Sequence, residues 1–563
     1  MNPEFDVAIM GGGLAGLSLA IQIKNARPET SVLVIDKHQH PVPEAAFKVG
    51  ESSSESGAHY FANVLGMKAH MNQHQLQKLG LRFFFSANGN QSLVERVEAG
   101  PTFFPHVPGY QLDRGRFENH LMEECLARGV TVHQDASIRD VAVSNDATVP
   151  HTVTVQSTGS KFVVTSRWLV DAAGRTGILR KRLNLDKKTG HNANAAWFRI
   201  KDVIAVDDWH DDPAWHAHVP HAPRSMSTSH LMGEGYWVWL IRLAGGSTSV
   251  GIVADARFHP IDEINTFERA LAWLHRFEPQ CAREVEARRD KLQDFMTVKG
   301  FAHSATRVYS QHRWCLTGDA GPFSDPLFSP GSDFIAFGNS YITDLIWRDF
   351  AGENLARRME LYNRAYLSTY ESFLSLYENR YPIMGNAQVM IAKIVWDYSA
   401  YWSNIALLFF RGKLVDFEFL TSSLPLWQPM LSLNRAMQEF LTAWNEVEPT
   451  QWQPRYIDLQ KIPFLYHYLH RNLAVERTDD DLRQVLRKHS VLLDNVALEL
   501  GRRAIGDGRD VRRRDRLLAA LPERVRNRFL AGESCPEIAA DLEYIWLQAN
   551  VAAPVAAEVA VAG

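Results

Sequence analysis

The sequence predicts an α/β fold: a Rossmann-type domain, a β-sheet substrate domain interleaved with it, and a helical C-terminal region. Three observations carry this expectation. A glycine-rich turn sits between two short apolar stretches at the N-terminus, strand-like segments recur up to about residue 350, and beyond that point the hydrophobic spacing becomes helical. The implied organisation is residues 1–350 for the two interleaved sheet-bearing parts and 351–550 for a helical domain, with an alanine- and valine-rich tail at 551–563 that reads as disordered.

The first element, residues 5–10 (Phe-Asp-Val-Ala-Ile-Met), reads as a buried strand. Gly11, Gly12, Gly13, Leu14, Ala15 and Gly16 follow, then an apolar helix, then a second buried strand at 31–35 that ends in Asp36. This is a complete dinucleotide-binding βαβ unit. Gly11 makes the turn, Gly13 lets a pyrophosphate approach the backbone, Gly16 packs helix on strand, and Asp36 is placed to accept from a ribose hydroxyl. The unit alone leaves FAD and NAD both open.

Residues 44–56 form a polar, turn-forming stretch that contains Lys48 and the run Gly50-Glu51-Ser52, expected over the nucleotide, with a helix start at the serines. Residues 76–85 read as one strand-like aromatic run carrying Lys78. Arg114 opens an amphipathic helix within reach of a phosphate or a flavin, and residues 168–175 run from a strand into a small-residue turn. The Trp- and His-rich segment 207–223 reads as a mobile loop near a pocket, and its histidines lack a metal-ligand frame, so no metal is expected. Residues 236–242 form a strand whose Trp237, Trp239 and Ile241 point to one face.

Residues 318–332 begin with Gly318-Asp319 and pass through Phe328 and a Pro330-Gly331-Ser332 turn into an apolar helix, with Ser329 or Ser332 as the expected N-cap. A helix start behind such a turn holds an anion or the electron-rich edge of a flavin. Further on, 361–378 and 479–503 are the clearest helices, the latter capped by Thr478. The Trp- and Tyr-dense stretch 390–410 covers a pocket for a large apolar substrate or touches a membrane surface, with packing against the main domain as the default. The arginines between 509 and 516 form a solvated face or a dock for an acidic partner.

Composition sets outer bounds. A chain of 563 residues with 46% hydrophobic residues can bury a large core in two or three domains, and a net charge of −4 gives no bulk field for nucleic acid. Four scattered cysteines without CxxC spacing argue against a disulfide framework or a zinc site, and suit a cytoplasmic protein. The opening residues carry no basic n-region. The longest apolar run, at 405–410, is closed by Arg411 and Lys413, so neither a signal peptide nor a transmembrane segment is expected.

Together these motifs resemble the flavin-dependent halogenases. The resemblance rests on the glycine turn at 11–16 and on Trp237-Val-Trp239-Leu-Ile241, with Arg242 where the family has proline. It also rests on Phe323-x-x-Pro326-x-x-Ser329-x-Gly331 and on Lys78, which lies 27 residues past Glu51. It spans residues 1–350 by motif and implies a glutathione-reductase-like, aromatic-hydroxylase-like FAD-binding fold. It further implies that reduced FAD (FADH2) and O2 form a flavin C4a-hydroperoxide. A chloride or bromide ion attacks it to give hypohalous acid, which Lys78 then delivers to an electron-rich ring.

On this reading Gly11, Gly12, Gly13, Ala15, Gly16, Asp36, Lys48, Arg114, Asp319 and Ser332 contact the cofactor. Pro330 and Gly331 hold the halide, and Trp237, Trp239 and Phe328 line the substrate passage. Phe328 stands where tryptophan-specific members carry glutamate, and Gly-Glu-Ser replaces their Gly-Glu-Ala. The resemblance therefore implies the phenol and pyrrole branch, with a free or carrier-protein-tethered aromatic as substrate. A single dinucleotide unit implies a separate flavin reductase. The alternatives are a flavin monooxygenase or reductase of the same fold acting on an aromatic or polyene, and a non-catalytic flavoprotein scaffold.

Overall fold

The architecture grows outward from the strand Phe5–Met10, in a computed structural model that describes residues 4–44, 49–146, 148–448, 452–506 and 509–547. Val7, Ala8, Ile9 and Met10 are wholly buried, so both faces of the strand need cover, which a parallel sheet flanked by helices provides. The strand pairs in parallel with Val32–Ile35 on one side and Ser160–Asp171 on the other. Thr131–His133 extends one edge, and Trp314–Leu316 and Tyr309–Ser310 extend the other. The helix Leu14–Ala26 links the first two strands and packs on Arg114–Ala127 and Gly331–Phe350. A Cβ on Gly16 would come within 1.9 Å of the Gly11 carbonyl oxygen, so the close helix–strand approach excludes any side chain there.

A second sheet runs in the order Leu292–Val298, Ala193–Ile200, Thr248–Asp255, Tyr236–Arg242, Thr228–Gly233, Leu81–Phe85, Val97–Gly100, Arg455–Asp458. Its two faces bury different sets. Trp237, Trp239 and Ile241 join the large core shared with the first sheet, whereas Tyr236, Val238 and Leu240 pack under the helix Phe267–Phe277. The last strand of this sheet comes from the C-terminal region and pairs in parallel with Val97–Gly100.

Three expectations need correction. Residues 76–85 are not one strand: Leu76–Lys78 pairs with Gly109–Gln111, and Leu81–Phe85 enters the large sheet beside Thr228–Gly233. The break falls at Gly80, whose φ of +133° and close approach to Pro101 only glycine allows. The segment 207–223 is a hydrogen-bonded turn-and-helix unit whose residues line neither of the two cavities described below. Asp212 caps Pro213–Ala217, and the Asp207 carboxylate accepts from the N–H groups of Arg224 and Ser225. Among the described residues no cluster of three or more His, Cys, Asp or Glu side chains is placed to hold a metal. Finally, the arginine cluster is not simply solvated. Arg513 turns inward and donates to the Ala504 and Val447 carbonyls and to the Glu448 carboxylate.

The C-terminal helices include Ala356–Leu374 and Asp479–Ile505, the second capped by the Thr478 hydroxyl, which accepts from the Asp481 N–H at 3.2 Å. No described helix is long and apolar enough to cross a membrane. The tail at 551–563 lies outside the described residues.

Asp349, at the far end of Gly331–Phe350, fastens that helix to the first sheet. Its carboxylate accepts from Arg167 at 2.8 Å, Arg313 at 2.9 Å and the Trp168 indole N–H at 2.8 Å. Burial pushes its pKa up, but the two guanidiniums and the indole outweigh this and hold it below the ordinary carboxylate value. A depressed folded-state pKa stabilises the fold above the unfolded value of about 4, and this contribution is lost as pH falls further. Asp349→Ala is expected to cost about 3 kcal/mol in urea unfolding at pH 7, and the difference from wild type should shrink below pH 4.

Candidate active site

Two cavities meet at the first turn of Gly331–Phe350. The larger, of about 830 Å³, is lined by residues 11–15, Asp36, Arg114, Asp319, Trp237 and Trp239. The smaller, of about 90 Å³, lies beyond the turn and is lined by Lys78, Phe328, Glu55, Asp333, Tyr398 and Tyr401.

The larger cavity has the features that a flavin dinucleotide requires. Gly13 occupies the N-cap position of Leu14–Ala26 with extended backbone and no side-chain cap, leaving the first N–H groups of the helix open. A Cβ on Gly13 would meet no atom within 4 Å, so the space in front of this helix start is free for a ligand. Asp36 closes the second strand, and its Oδ1 accepts from the His38 N–H at 3.2 Å. Arg114 lies across the rim, donating to the Val49 carbonyl and to Glu118 at 2.6 Å. Asp319 is half-buried in the turn Gly318–Ala320. Burial pushes its carboxyl up, and Arg175, Arg114 and Arg180 pull the other way. Lys48 lies outside the described residues.

Trp237 and Trp239 form one wall of this larger cavity, their rings 5.7 Å apart, and neither lines the smaller one. Each is pinned through its indole N–H, Trp237 to the Tyr381 hydroxyl at 3.2 Å and Trp239 to the Ser249 hydroxyl at 3.0 Å.

The turn between the cavities is strained. Phe328 and Ser329 have φ of +68° and +65°, a left-handed pair at two non-glycine residues that costs about 1–3 kcal/mol each. Surrounding bonds enforce it. The Tyr377 hydroxyl donates to the Leu327 carbonyl at 2.7 Å, and the Leu327 N–H donates to Asp325, which is itself held by Tyr381 and His191. Neither Ser329 nor Ser332 caps the helix, contrary to the sequence expectation. Pro330 takes the N-cap position, and its carbonyl accepts from the N–H groups of Asp333 and Phe334. The N–H groups of Gly331 and Ser332 are thereby the ones the helix leaves unsatisfied, and both residues line the larger cavity.

Lys78 is buried at the end of Leu76–Lys78, its ammonium donating to the Ser53 carbonyl and to the Ser52 hydroxyl at 3.1 Å. Burial pushes its pKa down to about 8, against the upward pull of Glu55 and Asp333. Asp333 accepts from the Gly57 N–H at 3.0 Å, the Tyr401 hydroxyl at 2.9 Å and the Ser54 hydroxyl, and burial pushes its carboxyl up to about 7. The aromatic residues expected around Lys78 at 83–85 do not line its cavity; Leu79, Gly80 and Leu81 do. Phe328 stands edge-on to Phe83 at 6.2 Å and to Tyr398 at 5.9 Å.

Sequence reasoning missed Glu55, Asp333, Tyr398 and Tyr401 as site residues. A signal existed for the tyrosines: positions 398, 401 and 402 recur at helical spacing in Ala387–Ser403, so they fall on one face of a helix already marked by its aromatic density. Ser54 caps Glu55–His59, as one reading of that stretch expects, and Val49, Gly50, Glu51 and Ser52 ahead of it line the larger cavity.

With this geometry in place, the chain belongs to the FAD binding domain family, whose model matches residues 4–321. Among curated proteins it is 24% identical over 442 residues to the flavin-dependent halogenase chlA of Dictyostelium discoideum, covering 73% of this chain and 71% of the relative. It is 27% identical over 393 residues to the tetracycline 7-halogenase of Kitasatospora aureofaciens, covering 63% and 67%. Its fold matches the crystal structure of the halogenase PltM in complex with phloroglucinol and FAD, with a TM-score of 0.60 at 18% identity over 88% of this chain and 96% of that one.

Gly13→Val places a branched side chain in the open space before the helix start. The variant is expected to keep the wild-type circular dichroism spectrum and to lose FAD affinity about 100-fold by fluorescence titration, because the obstruction falls on the pyrophosphate approach and not on a packed interface. Equal loss of folding would assign Gly13 a packing role instead.

Proposed function

We propose that this protein is an FAD-dependent halogenase that places chlorine or bromine on an electron-rich aromatic ring. The observation that carries the reading is the position of Lys78: a buried amine with lowered pKa, in a separate cavity across a strained helix-start turn from the dinucleotide site.

Reduced FAD, when bound in the larger cavity, supplies the electrons with which dioxygen oxidises a halide to hypohalous acid. Gly11, Gly12, Gly13 and Ala15 cradle the dinucleotide, while Gly16, which lies off the cavity, seats the helix on the strand instead of touching the cofactor; Asp36 meets the ribose, and Arg114, Asp319 and Ser332 contact the rest of the cofactor. The halide sits at the Pro330–Gly331 turn, where free N–H groups and the positive end of the Gly331–Phe350 helix favour an anion. Asp333 does not repel it as a carboxylate facing the cavity would, because its oxygens are taken up by Ser54, Gly57 and Tyr401 on the other side of the turn. The pinned indoles of Trp237 and Trp239 exclude water and substrate from the flavin side. Lys78, a few ångströms beyond Ser52, orients the hypohalous acid or takes the halogen onto its neutral amine.

Phe328, where a carboxylate would hold an indole, and the residues 50–52 Gly-Glu-Ser favour a phenol or pyrrole over tryptophan. The smaller cavity, about 90 Å³ with Tyr398, Tyr401 and Phe328 on its walls, fits the approach of a single ring, free or tethered to a carrier protein. Reduced flavin comes from a separate reductase, and the protein works in the cytoplasm.

The reading is tested by product mass and isotope pattern from phenols, pyrroles and tryptophan with FAD, a flavin reductase and chloride or bromide. Phenol or pyrrole products that vanish without halide are expected; hydroxylated products without halide would replace the halogenase by a monooxygenase. Lys78→Ala is expected to bind FAD and consume reduced flavin at the wild-type rate while product falls at least about 100-fold. Loss of FAD binding in that variant would make Lys78 a structural residue.

A further inference from the structure

The two cavities are joined through one side chain. The Ser52 hydroxyl lies at the centre of a triangle, buried except at Ser329: the Lys78 ammonium donates to it at 3.1 Å, the half-buried Ser329 hydroxyl donates to it at 2.9 Å, and the Thr228 hydroxyl is 3.0 Å away. Lys78 faces the smaller cavity, whereas Ser52, Thr228 and Ser329 all line the larger one. A hydroxyl has one proton to give and two lone pairs to fill. With Lys78 and Ser329 filling both lone pairs, the Ser52 O–H is directed at Thr228. The triangle is therefore a polarised chain that runs from the amine to the dinucleotide side.

We infer that Ser52 is a proton carrier between Lys78 and the dinucleotide cavity, a positioning and relay residue rather than a filler of the loop over the nucleotide. The inference rests on the halogenase reading. In each transfer an Nζ–H bond of Lys78 breaks and a Ser52 Oγ–H bond forms, while the original Ser52 proton passes to Thr228 Oγ1. Thr228 releases its own proton into the larger cavity. The neutral amine left behind takes the halogen from hypohalous acid, exchanging N–H for N–halogen and releasing water.

The balance closes across the two cavities. Halide, dioxygen, reduced flavin and one proton give hypohalous acid, oxidised flavin and water, so the proton that Lys78 must lose is of the kind that halide oxidation consumes. The relay links the two reactions in step without opening the wall between the cavities. It also gives a physical content to serine in the Gly-Glu-Ser run, since alanine at the same place would leave the amine with the Ser53 carbonyl alone.

Three other ionisable groups face Lys78 from the elements packed around it. Glu55, on Glu55–His59, is pushed up by burial but held below its ordinary value by His470. His230, on Thr228–Gly233, is pushed down to about 3 by burial and stays neutral at working pH. Asp333, on Gly331–Phe350, is pushed up to about 7 by burial. Its titration is common to wild type and to a Ser52 variant, so the ratio of the two pH profiles isolates Ser52.

The experiment compares FAD-loaded wild type, Ser52→Ala and Ser52→Thr between about pH 6 and 9.5. Product per reduced flavin is one readout. The second, independent of turnover, is the pH dependence of Lys78 labelling by an amine-selective reagent, read by peptide mass. Removing an acceptor of the ammonium destabilises the charged form, so Ser52→Ala should move the labelling midpoint below the wild-type value. Its product yield should fall about 100-fold below that midpoint and climb to the wild-type level above it, where the amine is already neutral. Ser52→Thr should restore the wild-type profile.

A Ser52→Ala profile parallel to wild type, or one depressed equally at every pH, would overturn the relay. So would a yield that falls with rising pH, because the ammonium would then be the working form. Absence of halide-dependent product from wild type would instead remove the halogenase reading, while the labelling shift would still report whether Ser52 governs the Lys78 proton.

Discussion

The Asp333 carboxyl lies where three distant stretches of chain meet. It accepts from Ser54 and Gly57 at the start of one short helix and from Tyr401 near the end of a C-terminal one, while its own backbone belongs to the first turn of Gly331–Phe350. Tyr401 also bonds Ser56 at 2.7 Å, which closes the junction. A buried carboxyl is costly unless its oxygens are occupied, so these partners are held to their positions as firmly as the carboxyl is held to them. The helix start that presents free N–H groups to the larger cavity therefore cannot be set without residues near 400. The C-terminal region is part of the site.

The left-handed turn at Phe328 and Ser329 depends on the same arrangement. Two non-glycine residues would not adopt it unaided; Tyr377 holds it from a distant stretch of chain, and Asp325, two residues from Leu327 in the same loop, is itself fixed by Tyr381 and His191. This explains why the turn was easy to find and hard to draw. The Phe-x-x-Pro-x-x-Ser-x-Gly spacing is local and visible in the chain, whereas the cap at Pro330 follows from the imposed turn, and serine propensity pointed elsewhere.

The same division runs through the rest of the molecule. The glycine turn with Asp36 and the alternation of Trp237, Trp239 and Ile241 were legible because each is a short-range pattern with one structural solution. Lys78 was legible as a residue but not as an environment. Its burial comes from Leu81 and from Tyr398 and Tyr401, hundreds of residues apart, and its bonds come from a loop whose course no periodicity describes. The break at Gly80 was missed for a related reason, since its backbone conformation is fixed by the approach of Pro101.

The strand Arg455–Asp458, which forms the edge of the second sheet beside Val97–Gly100, bears on how the protein is made. A chain leaving the ribosome folds its domains in the order in which they emerge. Here Tyr456 must find Glu98, and until it does Val97–Gly100 is itself an unpaired edge of the growing sheet. That strand therefore lacks its partner until the C-terminal third of the chain has been made, an interval in which association through the open edge competes with folding.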